Sequence, residues 1–317
     1  MNTINAIQCA TNIKNTGVCD CPFDPKLIVG KIMIPKNRVL TQAEVDDIQA
    51  TLEDLVQSAI ADRIFPVQGF VAIVDGSEEP TFQTFGYGSQ VPVREGKYIW
   101  TFQFVNGGVQ LSNALRSFNG NSSYAELYIE STNKLIGTSK LDANGQPGLA
   151  GVPQEGGYPY TYPWKANDGT NTTQYRTQSV FQPQYVNENI AFVDIPPTTY
   201  LLSELEGLQQ VNLVVVETDD TLDVVTIKAY DACGEDLYDQ FADELEEVSA
   251  WVGTQDGADI VHTVAANDTL KGWDITYTSL DLTAGDIWEL ASPEILAAAP
   301  ITMPGYASGT VLVPVGS

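Results

Sequence analysis

Lys97-Tyr-Ile-Trp-Thr-Phe-Gln-Phe104 decides the fold class of this chain. Tyr98, Trp100, Phe102 and Phe104 fall at every second position, the spacing that sets alternate side chains on one face of a β-strand. Four rings on one face need an apolar surface to cover them, and the sequence offers an amphipathic helix upstream or a second sheet. The neighbouring segments keep the same period. Phe70-Val-Ala-Ile-Val74 runs into Asp75-Gly76, a hairpin-type turn signal, and Thr81-Phe-Gln-Thr-Phe85 alternates until Gly86-Tyr-Gly88 interrupts it. Further strands are expected at 31–35, 125–129, 135–139, 174–181 and 189–193, with 125–139 folding as a hairpin around Ser131-Thr-Asn133. A short helix is expected at 109–117.

Upstream, residues 41–61 read as one helix. Thr41 and Glu44 form a capping box, and Val45, Ile48, Leu52, Leu55, Val56, Ala59 and Ile60 recur at three- and four-residue steps. Residues 1–30 read as an extended polar arm carrying Cys9, Cys19 and Cys21. The Cys19-Asp-Cys21 spacing is wrong for zinc even with Cys233 added, so plain thiols or one disulfide closing the arm are expected.

Residues 142–172 read as the longest irregular stretch. Gly145, Gly148, Gly151, Gly156 and Gly157 alternate there with Pro147, Pro153, Pro159 and Pro163, and Tyr158, Tyr160, Tyr162 and Trp164 are interleaved. Loops of this length in compact chains usually serve function or assembly. This one is expected to reach a neighbouring subunit; a carbohydrate- or protein-binding loop and an unpartnered surface loop stay open beside that reading. After Pro196-Pro197 and a short linker helix at 201–208, a second module begins. A hairpin at 211–230, an amphipathic helix at 235–248 and strands near 259–265, 273–278, 286–290 and 310–315 are expected within it. The chain is thus expected to be mainly β, an antiparallel sandwich or barrel with one flanking helix at 31–208 and a β-rich acidic module at 209–317.

Charge separates these modules. The chain holds 41 Asp+Glu against 15 Lys+Arg; residues 201–317 hold 22 of the acids and, as bases, only Lys228 and Lys271. Such a field repels nucleic acid and anionic lipid, so sequence-specific nucleic-acid binding is not expected. No apolar run is long enough for a membrane span, and the N-terminus lacks the basic start and apolar core of a secretory signal. No nucleophile-elbow, zinc-protease or phosphate-loop pattern occurs. The sole histidine, His262, alternates with Ile260 and Val264 as a packed strand residue would. Neither an enzyme nor a cofactor is expected. Weak calcium candidates stand at Asp219, Asp220 and Asp223, against a plain acidic turn, and Asp142-Ala-Asn144-Gly145 begins like a calcium loop without its closing acid.

Phe82-Gln-Thr-Phe-Gly-Tyr-Gly88, Val93-Arg-Glu-Gly96 and Asn113-Ala-Leu-Arg-Ser-Phe-Asn119 carry a resemblance over roughly residues 60–190. Together with the arm, the helix and the acidic module they resemble virion structural proteins of tailed bacteriophages, the nearest type being a tail-tube protein with an added C-terminal domain. The resemblance implies a virion location, assembly in the host cytoplasm, and small β-sandwiches or barrels stacked as homo-oligomeric, hexameric rings around an acidic DNA conduit. Contacts would be with itself and with other virion proteins. A capsid decoration or head–tail connector protein is the near alternative, and a carbohydrate-binding or adhesive surface protein a further one. Ig-like domains decorate some such proteins, but a helix at 235–248 does not fit that plan.

Overall fold

The computed structural model describes residues 3–6, 27–105, 108–165, 175–187, 189–219, 224–277 and 285–313. The chain is mainly β, with antiparallel sheets and few helices. It divides into two compact units, residues 1–55 with 61–205, and residues 206–317 with 56–60.

The strands of the first unit open with β1 (Ile4–Ala6), β2 (Ile28–Pro35), β3 (Val39–Leu40), β4 (Phe65–Gln68) and β5 (Phe70–Asp75). They continue with β6 (Thr81–Thr84), β7 (Gln90–Arg94), β8 (Tyr98–Phe104), β9 (Tyr124–Glu130) and β10 (Lys134–Leu141). The last five are β11 (Pro147–Ala150), β12 (Val152–Pro153), β13 (Tyr160–Thr161), β14 (Tyr175–Phe181) and β15 (Ile190–Asp194). The large sheet runs β1-β15-β10-β9-β2-β4, with β11, β12 and β3 attached beside β10 and β9; a smaller sheet runs β13-β14-β8-β5.

The aromatic face of β8 meets the large sheet. Trp100, Phe102 and Phe104 share one buried cluster with Met33, Val67, Tyr128, Ile136 and Phe192, so of the two surfaces expected to cover the rings it is a second sheet that does so. Trp100 stands edge-on to Tyr128 and Phe181, with ring centroids 5.1 and 4.7 Å apart. Each such ring contributes about 1.5–3 kcal/mol by burial. The opposite face of the large sheet is also closed: Ile32, Ile34, Leu127, Ile129 and Leu135 are fully buried. Near-continuous apolar runs in β2 and β9 follow from a sheet buried on both faces.

Three expectations change in this unit. The segment read as one helix at 41–61 is two, α1 (Gln42–Asp46) and α2 (Ile48–Gln57). The capping box at Thr41 and Glu44 forms, but the backbone turns out of helix at Asp47 (φ −118°, ψ 60°), and the Thr51 hydroxyl donates to the Glu44 carbonyl at 2.9 Å. The apolar stripe survives the break, with Val45, Ile48 and Leu52 buried. A third helix, α3 (Gly108–Arg116), lies where a short helix was expected.

The expected N-terminal arm is ladder at both ends: Ile4–Ala6 pairs with 191–193 of β15, and Ile28–Gly30 belongs to β2. Cys9, Cys19 and Cys21 lie outside the described residues.

The stretch 142–165 is irregular only in part, because three short strands within it join the sheets. β11 pairs with β10 and β3, β12 with β9 and β13 with β14, and Leu149 and Val152 are fully buried. Its glycines permit close packing: a Cβ on Gly148 would sit 2.4 Å from Val39 Cγ1, and one on Gly151 would sit 2.5 Å from Ile34 Cγ2. Residues 166–172 lie outside the described residues.

The second unit is a sandwich. Its strands are β16 (Gln209–Asp219), β17 (Val224–Tyr230), β18 (Trp251–Gln255), β19 (Ala258–Asp259), β20 (His262–Asn267), β21 (Gly272–Tyr277), β22 (Asp286–Leu290), β23 (Tyr306–Ser308) and β24 (Val311–Val313). One sheet runs β20-β21-β17-β16-β23 and the other β19-β18-β22-β24, and Trp251, Trp273 and Trp288 fill the space between. The pairing of β16 with β23 is parallel.

The first unit has one further short helical turn, α4 (Gln184–Asn187), and the helix expected at 235–248 is likewise only a short turn, α5 (Tyr238–Phe241), followed by 3₁₀ turns at Glu244–Glu246 and Val248–Ala250. The indole nitrogens of Trp251 and Trp273 donate to the carbonyls of Leu245 (2.8 Å) and Ala242 (3.2 Å), acceptors a continuous helix would use itself. Leu237, Phe241 and Leu245 are buried as their spacing predicts, whereas Val248 is exposed.

Candidate functional site: a projecting hairpin beside a sheet edge

β5 and β8 are neighbours in the small sheet, and the chain between them extends as a second hairpin. The ladder continues past the sheet through Gly76 N–H to the Ile99 carbonyl (2.8 Å) and Glu78 N–H to the Lys97 carbonyl (2.9 Å). Asp75 caps the start of this segment by accepting from the Ser77 amide at 2.9 Å. Gly96 is required at the base, because a Cβ there would lie 1.7 Å from the Glu78 carbonyl oxygen. Beyond it, among the described residues, β6 and β7 pair only with each other, Thr81 opposite Arg94, Phe82 opposite Pro92 and Gln83 opposite Val91. At the tip, Phe85 and Ser89 close the turn at 2.9 Å, Gly88 takes φ +84°, and the rings of Phe85 and Tyr87 stack with centroids 5.9 Å apart.

Every residue of β6 and β7 is exposed. A polar hairpin would need no explanation, but this one carries Phe82 (54 % exposed), Tyr87 (82 %) and Val93 (62 %), with Phe85 and Val91 also open. Phe82 shares one face with Pro92, and Val91, opposite Gln83, stands on the other, so apolar groups stand on both sides. Two isolated strands are marginal in water, so this hairpin is a surface that gains from being covered. The Glu78–Arg94 ion pair at its base (3.1 Å) is solvent-exposed and adds little. Alongside, among the described residues β5 ends the small sheet, paired on one side by β8, with Val71 and Val74 exposed on it. An open edge with apolar side chains is a template for a further strand.

The residues singled out for assembly from sequence lie elsewhere in the same unit. Tyr160 and Thr161 form β13; Tyr160 stands edge-on to Tyr162 at 5.1 Å and is exposed, as is Trp164. The Tyr162 ring lies under the Arg176 guanidinium at 4.4 Å, and its hydroxyl donates to Gln178 Oε1 at 3.1 Å. Tyr158 is half-buried. The structure therefore brings Tyr160 and Tyr162 together at the β13 edge and ties them to β14, with Trp164 exposed two residues further on. The hairpin at 81–94 was legible as one strand only: Pro92 in the middle of Gln90-Val-Pro-Val-Arg94 argues against a strand. It is tolerated because β7 has a partner on one side alone.

Of the calcium candidates, Asp220 and Asp223 lie outside the described residues, and Asp219 is paired with Val224 in the β16–β17 ladder. Asp142 spends one carboxylate oxygen on the amides of Asn144 and Gln146, both at 2.8 Å, as the cap of a turn. Among the described residues no group of His, Cys, Asp and Glu is placed to hold a metal ion. His262 directs Nδ1 at the Ile260 carbonyl (3.0 Å) and Nε2 at the Val248 carbonyl (3.3 Å), edge-on to Trp288. Cys233 is exposed with a free thiol.

One dense cluster of reactive groups sits inside the first sandwich. Lys31 Nζ lies 2.7 Å from Glu126 Oε1, and both side chains are wholly buried. Ser179 Oγ accepts from Lys31 at 3.2 Å and donates to Glu126 Oε1 at 2.9 Å; Tyr128 Oη donates to Glu126 Oε2 at 3.0 Å. Burial, and then the charge of Glu126, push the Tyr128 hydroxyl well above its ordinary pKa. No helix among the described residues is long and apolar enough to cross a membrane. Compared with protein-family models, with curated proteins and with solved structures, the chain matches none.

Proposed function

We propose that this chain is a structural subunit of a tailed-phage virion, a tail-tube protein that assembles with copies of itself into rings around a DNA conduit. The observation that carries the reading is the projecting hairpin, whose apolar residues on both faces have no cover within the described chain and stand beside an open strand edge. A second copy is the occupant that fits. An edge strand of the same sheet can continue the β5 ladder, and a ring of identical subunits closes every such edge. The excess of acids over bases supports a conduit through which a phosphate backbone slides without adhering.

Negative-stain electron microscopy of the purified full chain, over a concentration and salt series, tests this. Rings or tubes with a central channel are expected. A monomer at every concentration and salt would overturn the assembly reading and favour a capsid-decorating role. Exposed Tyr160 and Trp164, flanking half-buried Tyr162, support a second reading, a carbohydrate-binding surface, since aromatic faces at a sheet edge suit sugar rings. Glycan binding by the isolated protein, lost in Trp164→Ala, would favour it.

A further inference from the structure

Lys31 and Glu126 stand on adjacent strands, with Lys31 opposite Tyr128 and Met33 opposite Glu126. Their side chains meet between the two sheets, 2.7 Å apart and fully shielded from solvent. The Phe102 ring covers Lys31 Nζ at 4.5 Å from its centroid, and Trp100 and Phe181 pack on Tyr128. An ion pair in such surroundings gives up two hydration shells that its own attraction repays incompletely. Joining the two groups as an amide removes both charges, and the water formed leaves for bulk solvent.

We propose that Lys31 and Glu126 form an intramolecular isopeptide bond. Each neighbour of the pair has a part in the step. The ammonium passes one proton to the carboxylate, leaving an amine and a carboxylic acid. The Nζ lone pair then forms a bond to Glu126 Cδ. Ser179, which touches both Nζ and Oε1, takes a proton from the nitrogen and hands its own to Oε1. The Cδ–Oε1 bond breaks and one water departs. Oε2 stays as the amide oxygen, and Tyr128 Oη, donating to it at 3.0 Å, stabilises the negative charge it carries in the tetrahedral intermediate. Burial keeps that hydroxyl protonated and so keeps it a donor. One amine and one acid give one amide and one water, with no oxidant, metal or cofactor. Fixed strands hold the reactants at contact distance, which removes the entropic part of the barrier that a bimolecular condensation must meet. The bond would tie β2 to β9 across the middle of the large sheet, whatever the chain assembles with.

Mass spectrometry of the purified, denatured full chain decides the matter. The intact mass is expected to fall short of the sequence mass by one water. A tryptic digest should contain a branched peptide joining the Lys31 and Glu126 segments, with no cleavage after Lys31. Lys31→Met, which keeps the apolar stem, should restore the full mass. Ser179→Ala should still fold by circular dichroism while forming the bond about 10²-fold more slowly. A wild-type chain of full sequence mass, with Lys31 and Glu126 recovered only in linear peptides, overturns the proposal. So does a water loss that maps to any other pair. The wild-type digest is decisive even if a variant fails to fold.

Discussion

Gly96 and the Glu78 carbonyl touch at the base of the projecting hairpin, so closely that a Cβ on residue 96 would stand 1.7 Å from the oxygen. The contact fixes how β6 and β7 leave the sheet. Gly96→Ala is expected to displace the hairpin while sparing the core, because the Trp100–Phe104 cluster lies beyond it in the sheet. Assembly scored by electron microscopy should then need about tenfold more protein, a change of about 1.4 kcal/mol. The thermal midpoint should move little. Unchanged assembly would remove the hairpin from the interface.

Replacing Phe82 and Tyr87 by Ser tests the same surface without touching the backbone. Both side chains are exposed, so stability should change by less than about 0.5 kcal/mol in chemical denaturation. Rings or tubes should be lost. A double variant that assembles as well as the parent contradicts the proposed function.

Gly151→Ala separates a sheet from a loop at 142–165. The added Cβ would fall 2.5 Å from Ile34 Cγ2 and 2.8 Å from Ala125 Cβ. Overpacking of this kind costs about 1–3 kcal/mol, read as a shift in the urea midpoint. A loop glycine in the same stretch, Gly156, has nothing within 4 Å, and its Ala variant should be close to neutral.

Asn133 holds the end of the first unit in place. Its side chain donates to the carbonyls of Ile195 (2.8 Å) and Tyr200 (2.7 Å) and accepts from the Leu202 amide (2.9 Å), and its backbone sits at φ +65°. Asn133→Ala strands these buried groups, at about 1–3 kcal/mol each before relaxation, and adds strain at positive φ. The expected result is a clear drop in thermal midpoint. Asn133→Asp, which keeps the acceptor, should lose less only where Leu202 is concerned, and hydrogen exchange at the Leu202 amide reads that difference.

Tyrosine ionisation gives a pH window. Burial raises Tyr175 from 10 to about 12, and burial with the charges of Glu53 and Glu204 raises Tyr200 to about 12. Below pH 10 both are protonated whether folded or not, and their contribution to stability is intact. Between 10 and 12 the unfolded chain ionises them while the native chain resists, so stability falls as pH rises. Ultraviolet titration should show a late-ionising class of tyrosines that merges with the ordinary class in denaturant.

The period-two pattern around Trp100 was enough to read the sandwich, because sheets buried on one face alternate in any setting. The breaks were not legible for local reasons. Asp47 interrupts a good helical stripe through a carbonyl taken by Thr51, and two indole nitrogens take carbonyls that a helix after Leu237 would need. The glycines of 142–165 look like turn formers in one dimension and prove to be places where side chains from distant strands press against the backbone. The hairpin surface was missed for a related reason, since exposure of Phe82 and Val93 is set by what fails to pack on them, and no sequence window contains that.

The pairing of Ile4–Ala6 with β15 bears on how the chain is made. Among the strands of its unit, β1 is made before the others and waits for β15, the last of them, before its ladder can form, while the hairpin at 81–94 is made between them and pairs with itself. Long-range closure of this kind slows folding. During synthesis, sticky side chains are therefore displayed on nascent chains whose sheets are still open. A polysome holds many such chains side by side, which makes sparse ribosome loading, low temperature or a chaperone holding residues 81–94 the conditions under which this protein should be recovered in good yield.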